Sequence, residues 1–97
     1  MKTMLVLNAP PVLEEDLVDY LLSHPAIDGF TSFAAAGHGA AGSSLSIAEQ
    51  VTGRRRRIQF EIIMAGDRVH EVTQGLSAAV GPDIVFWQTP VQGLGRS

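Results

Sequence analysis

The chain contains no cysteine, which removes disulfides, thiolate zinc sites and thiol redox chemistry together. Long apolar runs are missing as well. At the N-terminus only Met4 to Leu7 are consecutively apolar, behind a single Lys2. That is too few for a signal peptide and far short of the ~20 residues that span a bilayer. A cytoplasmic location is the expectation. Charge is sparse: 18% of residues are charged and the net charge is -3, which argues against broad nucleic-acid binding. The sequence also offers no Walker A pattern and no compelling Ser/His/Asp arrangement. Gly37, Gly39 and Gly42 match a dinucleotide fingerprint by letter, but they do not open a long helix inside a parallel βαβ unit. No catalytic residue is assigned, and a non-enzymatic protein is expected.

What is present is a globular chain of 97 residues, 45% of them hydrophobic, with slightly positive mean hydropathy. One domain over residues 1–97 follows, because a second core would be too small to stand alone. A domain of this size buries only about two-thirds of its unfolded surface, and oligomerisation is a usual way to add to it.

Residues 3–8 read as a short strand, ended by Ala9-Pro10-Pro11. Pro11 suits a first helical position, and Glu14, Glu15 and Asp16 then meet the positive end of the helix dipole. Leu13, Leu17, Tyr20 and Leu21 continue at helical spacing to about Ser23, before Pro25. A second strand covers residues 30–36. The third strand is the clearest: Arg56, Ile58, Phe60, Ile62 and Met64 share one face, and Arg55, Arg57, Gln59 and Glu61 the other. Ala65-Gly66-Asp67 supplies a turn and an N-cap. Val69, Val72, Leu76 and Val80 form the buried stripe of a second helix, stopped by Gly81-Pro82. Residues 83–90 form the last strand, and residues 91–97 a tail. Met4 and Met64 are expected on core faces as packing residues rather than soft copper ligands. The order βαββαβ points to a ferredoxin-like α+β sandwich whose helices cover one sheet face. Phe33, Ile63 and Trp87 fall on the uncovered face, where exposed apolar residues indicate a partner, most economically a second copy of the chain.

Residues 37–53 join the second and third strands and lead into four consecutive arginines, Arg54 to Arg57. Such a long connection in so small a domain either has a function or is disordered, and mobility is expected here. Guanidinium groups offer planar paired donors to phosphate or carboxylate, so Arg54, Arg55, Arg56 and Arg57 are candidate anion ligands. Alternation lets at most two of them serve one ligand; the alternative is a solvated strand start whose charges block edge-to-edge pairing. His38, set among glycines and alanines with nothing bulky to bury it, is the best histidine for metal binding. Glu49 could join it, although Ser46 to Glu49 also fits a capping box for a short helix. His24 reads as a helix-end residue and His70 as a surface residue.

The segments GFTSFAAAGHG (29–39), AEQVTGRRRRIQFE (48–61), WQTPV (87–91) and GLGR (93–96), with the element order, resemble the PII-like superfamily. Within it the chain is similar to the domain-of-unknown-function family 3240. The resemblance implies the ferredoxin-like fold, a homotrimer, and small ligands held in clefts between subunits. It implies that the long T-loop reports ligand status to a target, here a membrane efflux protein, since the family is found beside heavy-metal efflux systems. On this basis Gly37, His38 and Gly39 match the start of the loop and Arg54 to Arg57 its exit. Arg96 lies near the tail arginine that PII proteins use toward phosphate. The connection AAVGPD (78–83) has no lysine where ATP-binding PII proteins carry a Gly/Lys-rich phosphate loop, which argues against ATP binding in the usual PII manner. The resemblance therefore implies a sensor or regulator of a metal ion or a small anion, and the setting beside efflux systems tips the balance toward a metal. A CutA-type protein that binds divalent metal directly is the alternative, and a small ferredoxin-like enzyme with His38 as base a further one.

Overall fold

The structure is a computed structural model that describes residues 1–39 and 54–97. The expected capping box at Ser46 to Glu49, Glu49 as a ligand, Gly42 and the expected mobility of residues 40–53 fall outside the described residues.

Strand β1 (Lys2–Ala9) ends where Pro10 and Pro11 remove two backbone donors. Pro11 opens a single 3-10 turn, Pro11–Leu13, closed by Leu13 N–H donating to the Pro10 carbonyl at 3.0 Å. Helix α1 (Glu14–Ser23) follows with Glu14, Glu15 and Asp16 in its first turn. It stops at His24, whose Nδ1 accepts from the Ala26 amide at 3.0 Å. Strands β2 (Thr31–Gly37) and β3 (Arg55–Ala65) come next. A 3-10 turn at Gly66–Arg68 leads into two short helices, α2 (Val69–Thr73) and α3 (Leu76–Ala79). Strand β4 (Val85–Pro90) completes the domain.

The four strands form one antiparallel sheet in the order β2-β3-β1-β4. This is the ferredoxin-like α+β arrangement, with β1 and β3 central. Period-two alternation sends Leu5, Leu7 and Ala9 of β1 and Phe60, Ile62 and Met64 of β3 to the helix side. There they pack on Leu17 and Leu21 of α1, Val69 and Val72 of α2, and Leu76 of α3. Each fully buried leucine contributes about 1.5–3 kcal/mol relative to exposure. The other face carries Phe33, Gln59, Asn8 and Val85 in one rung and Thr31, Glu61, Val6 and Trp87 in the next. Phe33, Val85 and Trp87 are 44–51% exposed on it.

Several expectations need correction. Met4 alternates with Leu5 onto the helix-free face and is half-buried there, not in the core. Asp67 caps nothing: it lies within the 3-10 turn, and neither that turn nor α2 has a side-chain cap. The last strand begins at Val85, because Asp83 takes a left-handed φ of 68° that no strand accommodates. The expected continuous second helix is broken at Gln74-Gly75. Tyr20 provides the physical reason. Its hydroxyl donates to the Val72 carbonyl at 2.7 Å, and a Cβ at Gly75 would sit 2.9 Å from the Tyr20 hydroxyl oxygen. The tyrosine thus occupies the groove in which a regular helix would carry a side chain. Gly81 (φ 155°) ends α3, and a Cβ there would approach Leu13 Cδ2 to 2.9 Å.

Burial holds the Tyr20 hydroxyl above the ordinary tyrosine pKa of 10.0. A raised pKa means that the native state keeps its proton longer than the unfolded chain. The associated stability is therefore full below about pH 10 and is lost as pH rises through the native value. Tyr20→Phe is expected to cost about 1 kcal/mol at neutral pH, as a lost hydrogen bond to a backbone carbonyl. The same variant should remove this part of the alkaline decline. Urea melts at neutral and alkaline pH read both effects.

Candidate functional site

The arginines enter β3 where three chain segments meet: the end of β1, the Gly81-Pro82-Asp83 turn before β4, and the end of β2. Gly37 faces Arg55 and Ala35 faces Arg57 in the β2–β3 ladder, while Asn8 faces Gln59 next to Arg57. As alternation requires, Arg55 and Arg57 share a face, and both reach Asp83.

The two arginines have different environments. Arg57 is only 3% exposed. Its Nε donates to Asn8 Oδ1 at 2.6 Å, and its Nη2 to the carbonyls of Asn8 at 2.8 Å and Asp83 at 2.9 Å. Its Nη1 donates to Asp83 Oδ2 at 3.0 Å. Asn8 is itself oriented, donating through Nδ2 to Gln59 Oε1 at 3.2 Å. A guanidinium can be taken out of water only when its donors are matched in this way. Arg55 lies further from the same carboxylate, with Nη1 at 3.8 Å from Asp83 Oδ2. Arg54 and Arg56 are exposed.

Two cavities open on this cluster. One, of about 250 Å³, is lined by Pro10, Pro11, Val12, Arg55, Arg56, Arg57 and Asp83. The other, of about 290 Å³, lies against Ala34, Ala35 and Ala36 with Arg54, Arg55 and Arg56. Four guanidinium groups thus face the two cavities, and Asp83 is the carboxylate among their described lining residues. Such a place favours an anion.

The remaining sequence candidates lie apart from this centre. His38 is exposed just beyond β2, next to exposed Gly39, and Arg96 is exposed in the tail; none of the three lines either cavity. Gly37 closes β2 opposite Arg55. Among the described residues no group of three or more His, Cys, Asp or Glu side chains could hold a metal ion. Sequence reasoning missed Asn8 and Asp83, which fix the arginines. Asp83 had a signal, since an aspartate after Gly-Pro tolerates a left-handed turn; Asn8 had none.

The sheet order and the single helix layer define the ferredoxin-like α+β fold. The match to the family described as protein of unknown function DUF3240 extends over residues 1–97, and the chain belongs to that family. Among solved structures it is similar to a DUF3240 family protein from Shewanella baltica OS155, with a TM-score of 0.80 and 21% identity, covering 99% of this chain and 96% of that one. It is also similar to the periplasmic divalent cation tolerance protein CutA from Archaeoglobus fulgidus, with a TM-score of 0.74 and 13% identity over 97% and 88% of the two chains. At these identities the likeness speaks for the fold. No curated protein matches the chain in sequence. No helix among the described residues is long and apolar enough to cross a membrane.

Arg57→Ala is expected to destabilise the fold by about 2–4 kcal/mol, because it strands the Asn8 and Asp83 acceptors around the vacated space. Arg55→Ala should cost less than Arg57→Ala, as the Arg55 side chain is 25% exposed and its longer pair with half-exposed Asp83 is screened by water. Chemical denaturation of the two variants measures the difference.

Proposed function

We propose that the protein is a non-enzymatic PII-like sensor that binds a small anion at the arginine cluster. The observation that supports this most is the 250 Å³ cavity where Arg55, Arg56 and Arg57 meet at the foot of β3. The cluster lies where the chain leaves β2 at Gly37 and re-enters the sheet at Arg55. An anion bound there touches Arg55, which pairs with Gly37 across the β2–β3 ladder, and this is how occupancy would reach a target protein. The target suggested by the family resemblance is a membrane efflux protein. The apolar residues on the helix-free sheet face support a homo-oligomer, read as a trimer, which would place the cavities near subunit clefts.

The rival is direct binding of divalent metal. It draws support from exposed His38 and from the CutA protein of similar fold, whose name refers to divalent cation tolerance.

Calorimetry with inorganic phosphate, an adenine nucleotide, and copper, zinc and cadmium salts separates the two readings. Anion binding is expected, weakened about tenfold by Arg55→Ala and weakened further by added salt. Heat from the metals alone, abolished by His38→Ala, would instead establish the metal-binding reading. Light scattering at micromolar concentration should give a mass near three chains. A stable monomer there would remove subunit clefts from the mechanism.

A further inference from the structure

The geometry points to Asp83 as a built-in competitor for the anion site, one that restricts it to dianionic oxyanions such as hydrogen phosphate or a phosphate monoester. This inference rests on the anion-binding reading above. Asp83 Oδ2 lies 3.0 Å from Arg57 Nη1 and 3.8 Å from Arg55 Nη1. One carboxylate oxygen therefore stands between two guanidinium groups, where an oxygen of a bound phosphate would stand.

The two sides of this contact differ in how readily they can move. Arg57 is anchored by three bonds that do not involve the Asp83 carboxylate: two to Asn8 and one to the Asp83 carbonyl. The Asp83 side chain is 48% exposed. Rotating it into water frees Nη1 of Arg57 and leaves the rest of the network in place. The backbone conformation sustains the arrangement. A left-handed φ of 68° is strained for a non-glycine residue, and here it brings the carbonyl and the carboxylate of one residue onto one guanidinium.

Selectivity follows from charge. An incoming carboxylate or chloride offers the arginines no more than the tethered carboxylate already supplies, and it lacks the advantage of the tether. A dianion with several acceptor oxygens can engage both guanidinium groups more strongly than Asp83 does. The chain so arranged ignores monoanions and responds to phosphate-type ligands.

Asp83→Asn tests this with little risk to folding, because asparagine keeps an acceptor oxygen and tolerates a left-handed backbone. Binding of inorganic phosphate and of acetate to the full chain would be measured by calorimetry at fixed ionic strength. Asp83→Asn should bind phosphate about tenfold more tightly than the parent protein and should lose much of the preference for phosphate over acetate. Asp83→Gly, which suits the same φ, should behave alike. Folded variants that bind phosphate no better than the parent, while the parent does bind it, would overturn the competitor role alone. Absence of phosphate binding in all three proteins would overturn the anion reading and this inference with it.

Discussion

Removing a guanidinium from water costs several kcal/mol unless nearly every donor finds an acceptor, and Arg57 sets that demand at the junction of three segments. Its acceptors come from the end of β1 and from the turn before β4, while its own backbone belongs to β3. One side chain thus fixes the ends of three of the four strands on the same side of the sheet. The left-handed turn at Asp83 and the side-chain bond from Asn8 to Gln59 follow from it. The apolar core beneath the helices sets the layers of the domain; the Arg57 network sets how the strands end, and so where a cavity can open.

This division explains which features were legible in the sequence. Strand β3 announced itself through strict alternation from Arg55 to Met64, and Leu17 and Leu21 announced α1, because burial on one side imposes a period. Order and fold class followed from these periods, and the family resemblance agreed with them. Met4 was misassigned because a short apolar strand has no polar partner residues to mark its faces: Met4, Leu5, Val6 and Leu7 read alike. The break between α2 and α3 depended on the hydroxyl of Tyr20, which is more than fifty residues from Gly75 in sequence, and no local pattern carries such information.

The candidate site was legible in a similar, partial way. Four successive arginines drew attention to the start of β3, where two cavities open, and alternation paired Arg55 with Arg57, which both reach Asp83. The sequence could not show that one would be buried and the other left beside open space, since Asn8 and Asp83 decide that from a distance. His38, Gly39 and Arg96 looked equally suitable as letters, yet none lines the described cavities.

The pairing of Gly37 with Arg55 bears on how this chain can vary among its relatives. The two ends of the intervening segment are already adjacent, held by a ladder that continues from Thr31 opposite Glu61. The entropic cost of closing such a segment grows only with the logarithm of its length, about 0.6 kcal/mol for each doubling. Insertions and deletions between the two residues are therefore nearly free for the fold. The length of chain between Gly37 and Arg55 can change while the register of the β2–β3 ladder stays the same.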